Sequence, residues 1–222
     1  MLNRVKSIIR KVRSLFSKKS LFGEKHWDER FKKYGQNAVL NLNSPEDQRA
    51  LIFENQKKLI KKYLISDFEF NERSWLLDFG CGVGRFSYFF SNEFNINVVG
   101  CDISQVAINF TSNRDKVSFV KINQGEIPKC PNNRWDIIFS CLCFGGIKNK
   151  ELQNTINNMY NSLNQGGIVF FIENTSNLFS TSWIFRSESV YKKMFSKFSV
   201  KVHDSYFDNN EKITVFSALK EI

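Results

Sequence analysis

Trp75-Leu-Leu-Asp-Phe-Gly-Cys-Gly-Val-Gly-Arg-Phe86 joins an apolar strand to a glycine-rich turn, with the carboxylate of Asp78 at the junction. Gly80 permits the tight turn, Gly82 lets backbone approach a ligand with no Cβ in the way, and Gly84 lets the following helix pack closely. The helix N-terminus offers unpaired N–H groups to a negative part of that ligand. A fixed negative charge at Asp78 argues for a cationic ligand and against a dinucleotide, whose pyrophosphate would come to this same turn. The spacing agrees, being G-x-G-x-G rather than the dinucleotide fingerprint G-x-G-x-x-G.

Farther along, Asn97-Val-Val-Gly-Cys-Asp102 reads as a second short buried strand ending in an acid, placed to accept hydrogen bonds from two ribose hydroxyls. A nucleoside with a cationic, amino-acid-like tail suits both acids. These residues resemble the class I S-adenosylmethionine-dependent methyltransferases, whose first motif is a D/E-x-G-x-G-x-G turn followed by an acid closing the second strand. The resemblance runs from residue 66 to residue 222. It implies an α/β, Rossmann-like fold: a seven-stranded, mostly parallel sheet with an antiparallel last strand, preceded by an N-terminal helical lid. It also implies S-adenosyl-L-methionine as cofactor, its amino-acid end over Asp78, Gly80, Cys81 and Gly82 and its ribose on Asp102, with Gly84, Ile103 and Cys141 completing the set. The family often meets the adenine amine with an acid a few residues before an Ile-Pro or Leu-Pro pair. Asn123, ahead of Ile127-Pro128, takes that place, and its carbonyl can still accept.

Later landmarks follow in the family's order. Arg134-Trp-Asp-Ile-Ile-Phe-Ser-Cys-Leu-Cys143 has strand composition and resembles the fourth strand. Leu152, Ile156, Met159, Tyr160 and Leu163 recur at helical spacing up to the stop Asn164-Gln-Gly-Gly167, and Ile168-Val-Phe-Phe-Ile172 reads as strand five. Phe198 to His203 and Ile213 to Leu219 read as two strands joined through the polar turn Asp208-Asn-Asn210.

At 222 residues, 42% hydrophobic and 15% aromatic, the chain can bury a full core. It shows no internal repeat, and no apolar run approaches the roughly 20 residues that cross a bilayer. Five cysteines, four of them inside strand-like or turn segments, favour reduced thiols and a cytoplasmic setting over a disulfide framework. No metal is expected, because Cys141-x-Cys143 is a poor zinc signature and the two histidines of the chain leave few partners for it.

The net charge of +10 is uneven. Residues 1–20 carry seven basic side chains and no acid, and Leu2, Val5, Ile8, Ile9, Val12, Leu15 and Phe16 fall on one helical face. Such a helix can lie on the inner face of an anionic membrane; packing on a partner or on its own domain, disorder, and nucleic-acid binding stay open. Charge interrupts its apolar residues too often for a secretory signal. The chain divides into a basic amphipathic tail (1–22), an N-terminal helical lid (23–67) and a catalytic domain (68–222). The resemblance puts Trp27 and Tyr34 of the lid near the acceptor.

Methyl transfer from a sulfonium is an in-line displacement, so the acceptor must be aligned and water excluded. A high-pKa oxygen acceptor also needs a base. Many relatives place a His after strand four, where this sequence has Phe144-Gly-Gly-Ile147. The remaining candidates are His26, His203 and, by family analogy at the end of strand five, Glu173. The stretch from 174 to 195 looks like an acceptor-side insertion, with Arg186 and Tyr191 as substrate-binding candidates beside Trp183 and Phe185. The expected reaction is O-methylation of a small or glycan-linked acceptor in bacterial surface-polysaccharide biosynthesis. Lipid-quinone methylation, RNA methylation and a non-catalytic cofactor-binding subunit are the alternatives. No stable nucleic-acid partner is expected, because the basicity sits in the tail, and the oligomeric state is open.

Overall fold

A computed structural model describes residues 22–42 and 44–221, so the basic amphipathic tail lies outside the described residues except for Phe22. Seven strands form one sheet: β1 (Trp75–Phe79), β2 (Asn97–Asp102), β3 (Val117–Lys121), β4 (Trp135–Cys141), β5 (Leu163–Asn174), β6 (Ser199–Asp208) and β7 (Glu211–Leu219). Their spatial order is β3-β2-β1-β4-β5-β7-β6, with β7 antiparallel to both of its neighbours and the other pairings parallel. The expected Rossmann-like sheet with an antiparallel last strand is therefore present.

The helices are α1 (Glu24–Tyr34), α2 (Glu46–Asp67), α3 (Arg85–Phe94), α4 (Gln105–Ile108), α5 (Asn149–Ser162) and α6 (Glu188–Met194). Strand alternation sorts the apolar side chains onto two faces. Leu77, Phe79, Ile138, Val169 and Phe171 meet Leu152, Ile156 and Met159 of α5 and Tyr191 of α6 on one face. Leu76, Ile137, Phe139, Ile168 and Phe170 meet Ile60 and Leu64 of α2 and Phe86 and Phe90 of α3 on the other. Aromatic rings fill the first layer, with Phe171 stacked between Phe195 at 4.6 Å and Phe216 at 4.7 Å. Each such fully buried ring stabilises the fold by roughly 1.5–3 kcal/mol.

Two refinements of the sequence reading follow. The last hairpin is longer than its apolar runs, because Asn209 and Asn210 at φ 47° and 66° supply a tight two-residue turn that lets pairing reach Asp208 and Glu211. The C-terminal half of α2 packs into the sheet's second core, so only its N-terminal half is free to border a cleft. The strand order reverses beside β1, whose neighbours are β2 and β4. The crevice beyond the carboxyl ends of these strands is where an open α/β sheet binds ligands.

Candidate active site

The glycine turn after β1 is locked by its neighbours. Gly80 N–H and Cys81 N–H donate to the Cys101 carbonyl at 2.9 and 3.0 Å, and Gly82 N–H donates to Asp102 Oδ2 at 3.0 Å. Gly80 and Gly82 hold φ of 76° and 55°, which side chains rarely adopt. A Cβ on Gly80 would also lie 2.4 Å from Cys143 Sγ, and one on Gly82 would lie 2.4 Å from Val39 Cγ1. Gly84 starts α3 in the left-handed conformation, and a Cβ there would run into the Phe119 ring of β3 at 2.7 Å. Close packing is thus the role of Gly84, while Gly82 makes room for the N-terminal segment as well as for a ligand.

Beside this turn opens a cleft of about 520 Å³, within the roughly 300–1,000 Å³ of ligand pockets. Gly80, Cys81, Gly82, Asp102, Ile103 and Cys141 line it. Asp102 Oδ1 also accepts from Ser104 N–H at 2.8 Å, so its carboxylate is oriented by backbone on both oxygens and keeps lone pairs for a ligand. Burial raises its pKa to about 6, against the Ser104 and Gly82 hydrogen bonds.

Asp78 does not line the cleft. It is buried beneath the turn and accepts from Ser87 Oγ of α3 at 2.6 Å, so the carboxylate ties β1 to α3 and acts on a ligand only through space. Burial lifts its pKa to about 7, with the Ser87 hydrogen bond opposing. Asn123 is likewise corrected. Its backbone N–H and its amide both donate to Glu126 Oε2, at 2.8 and 2.9 Å, which turns it out of the cleft. The next residue, Gln124, lines the cleft with Ile122 and Gly125.

Of the catalytic candidates only His26 borders the cleft. Burial, then the Arg30 charge, lowers its pKa, which favours the neutral imidazole. Glu173 is fully buried: its Oε1 accepts from Cys143 and Phe144 N–H at 2.7 and 2.6 Å, and its other oxygen faces Tyr191 Oη at 3.4 Å. It braces the loop after β4, and burial raises its pKa to about 7. His203 lies on β6 outside the cleft, its Nε2 2.8 Å from Asp67 Oδ2 and 2.9 Å from Ser217 Oγ, its ring stacked on Tyr63.

The acceptor-side candidates divide in the same way. Trp27 lines the cleft, whereas Tyr34 is 38% exposed beyond its wall beneath the Lys33 ammonium. Arg186 is buried and spends its guanidinium on Asn149 Oδ1, the Phe144 carbonyl and the Ile147 carbonyl at 2.9, 2.8 and 2.5 Å. Tyr191 is fully buried among Phe144, Phe171 and Phe216. Both hold the protein's own loop and core, and neither lines the cleft. Cys141 and Cys143 both line the cleft, although the turn at Leu142, φ 50°, packs Cys141 against one core layer and Cys143 against the other.

Just after β4, two tryptophans lie against Gly145 and Gly146. A Cβ on Gly145 would sit 2.0 Å from the Trp183 indole, and one on Gly146 would sit 3.0 Å from that of Trp27. Trp183 is held by Ile184 N–H donating to the Gly145 carbonyl at 2.8 Å. Trp27 is held by α1, whose Asp28 Oδ1 accepts from Ser104 Oγ at 2.5 Å and from Val106 N–H at 3.4 Å.

With this geometry in view, residues 76–167 match the model of a methyltransferase domain family. Over that segment the chain is similar to methyltransferase domains, and its fold is that of the class I S-adenosylmethionine-dependent methyltransferases. Solved structures share the methyltransferase fold at low sequence identity. Magnesium protoporphyrin IX methyltransferase from Synechocystis PCC 6803, solved with S-adenosylmethionine, is 12% identical, with a TM-score of 0.69 over 89% of this chain and 95% of that one. Phosphoethanolamine N-methyltransferase 2 of Haemonchus contortus is 16% identical, with a TM-score of 0.66 over 88% of this chain and 60% of that one. In a second structure of that enzyme the matched share is 53%, so this chain spans between half and two thirds of its length. Geranyl diphosphate C-methyltransferase from Streptomyces coelicolor A3(2) is 14% identical, with a TM-score of 0.63 over 79% and 82% of the two chains. No curated protein sequence matches the chain. The matched segment spans the glycine turn, Asp102 and the loop after β4, all of which border the cleft.

Proposed function

We propose that the protein transfers a methyl group from S-adenosylmethionine to a hydroxyl of a small or glycan-linked acceptor. The observation that carries the reading is the oriented Asp102 carboxylate facing the cleft beside the glycine turn, with Ile103, Ile122 and Gln124 forming an adjoining wall. This donor and acceptor set fits the cofactor: a paired-acceptor carboxylate for vicinal ribose hydroxyls, apolar side chains for a base, and a turn without side chains for the amino-acid end. The bound cofactor supplies an electrophilic methyl on sulfur.

The chain's own residues supply position and shelter. Trp27 and Trp183 close over Gly146 and Gly145, excluding water from the end of β4 and offering flat apolar faces to the acceptor. His26, kept neutral by burial and by Arg30, is the imidazole available to take the hydroxyl proton. A sugar fits these aromatic walls, and a place in surface-polysaccharide assembly is proposed on that basis. A lipid-quinone acceptor is the second reading, favoured by Leu178 and Phe179, which border the cleft while remaining 52% and 84% exposed.

The test is turnover of methyl-labelled S-adenosylmethionine against nucleotide sugars, phosphorylated glycans, quinols and transfer RNA. Label in a sugar hydroxyl supports the reading. Label in quinol or RNA alone replaces it.

A further inference from the structure

Three arginines border the cleft, and two are committed to the protein itself. Arg30 donates to the carbonyls of Ala38 and Leu40, and Arg49 donates to those of Ser44 and Leu42. Arg85, the first residue of α3, makes no hydrogen bond or ion pair with any described residue. Its guanidinium lies 4.8 Å over the Phe53 ring and 5.9 Å from that of Phe86. The nearby carboxylates have other donors: Asp78 takes Ser87, Asp102 takes backbone N–H groups, Asp208 takes Ser44 and Glu211 takes Asn174. Asp78 acts on this guanidinium only through space, so its hydrogen-bonding fork is left for an anion that enters from the cleft.

Position separates Arg85 from the cofactor wall. Phe53 lies on α2, and of the groups that act on Arg85 electrostatically Cys141 and Tyr206 lie on β4 and β6, while Asp78 lies on β1 and acts through space without a hydrogen bond to the guanidinium. Strands β4 and β6 stand on the opposite side of β1 from β2 and Asp102. Gln56 is fixed on the same side, its amide donating to Tyr206 Oη at 2.6 Å. Leu178, Phe179 and Ile213 carry the apolar wall outward from there.

We propose that Arg85 binds an anionic oxygen group of the acceptor, a carboxylate or a phosphate, while the acceptor's apolar part lies along Phe53 toward Leu178 and Phe179. The planar guanidinium fork matches two oxygens of such a group, which a neutral hydroxyl cannot supply. The site deepens the methyl-transfer reading and rests on it only in naming the ligand an acceptor.

Phenyl phosphate, benzoate and neutral benzyl alcohol serve as probes, titrated calorimetrically into wild type, Arg85→Met and Arg85→Lys, with and without S-adenosylhomocysteine. Wild type is expected to bind one or both anions about tenfold or more tighter than benzyl alcohol, and Arg85→Met to lose that preference. Arg85→Lys, which keeps the charge but not the fork, falls between. The tighter of the two anions says whether carboxylate or phosphate is the group. Equal binding of anion and alcohol by wild type overturns the proposal, as does undiminished anion binding by a folded Arg85→Met. Weaker S-adenosylhomocysteine binding by Arg85→Met with anion binding unchanged also overturns it, and moves Arg85 to the cofactor. If Arg85→Met does not fold, the wild-type preference and the lysine variant still decide. Failure of wild type to bind S-adenosylhomocysteine counts against the methyl-transfer reading alone, because the anion titrations are also run without it.

Discussion

At the scale of residues, the side chains that touch the loop after β4 decide which acids and bases can take part in chemistry. Glu173 spends its carboxylate on Cys143 and Phe144 N–H, and a glutamine carbonyl can accept the same bonds. Glu173→Gln is therefore expected to keep turnover within a few-fold of wild type, where loss of a general base costs about 10²–10⁴-fold. Steady-state kinetics on the two proteins measures the difference. Gly145→Ala should behave oppositely, because its Cβ would meet the Trp183 indole at 2.0 Å. Overpacking of this kind costs about 1–3 kcal/mol, read as a lower thermal midpoint. The glycine turn and Asp102 were legible in the sequence because strand, turn and strand-end acid are set by local spacing. Arg186, Tyr191, His203 and Glu173 were misplaced because each orientation is set by a distant partner: Asn149, Phe216, Asp67 and the loop at Cys143. Asn123 was one residue off, since Glu126 captures it and leaves Gln124 to the cleft.

At the scale of elements, α1 is held over the cleft by few contacts. Asp28 reaches Ser104 and Val106, and Glu24 reaches Lys121 at 3.2 Å. The Glu24–Lys121 pair is largely exposed and contributes little, so Asp28 is the main polar latch. Asp28→Ala should raise amide exchange across Glu24–Tyr34 while β1 and β4 stay protected. Unchanged exchange in α1 would show that Trp27 and Phe31 hold the helix without the latch. The two strands of the last hairpin were readable from apolar runs around a polar turn, while their antiparallel place in the sheet was implied by the family resemblance. That α2 divides between core and cleft was not readable, because its helical periodicity shows one apolar stripe and not what each end of the stripe meets.

At the scale of the whole molecule, the sheet buries three carboxyls whose folded pKa values exceed their ordinary ones: Asp78 near 7, Asp102 near 6 and Glu173 near 7. Their contribution to stability is fully present below about pH 4 and is lost as pH rises through about 6 to 7. His26 and His203, lowered mainly by burial, act the other way, gaining stability as pH rises through the ordinary histidine range. Glu173→Gln removes one of the three carboxyls, so its melting midpoint should fall less than that of wild type between about pH 4.5 and pH 7.5. Parallel profiles for the two proteins would mean that Glu173 is charged and well solvated in the folded state. The described residues include no helix long and apolar enough to cross a membrane.

The central claim is that the glycine turn and Asp102 together hold S-adenosylmethionine, and calorimetric titration of the cofactor into wild type and Asp102→Ala tests it most directly. Loss of the charged ribose contacts, about 1.5–3 kcal/mol, predicts saturable binding by wild type and about 10–100-fold weaker binding by the variant. No binding by wild type, or equal binding by both proteins, would contradict the account.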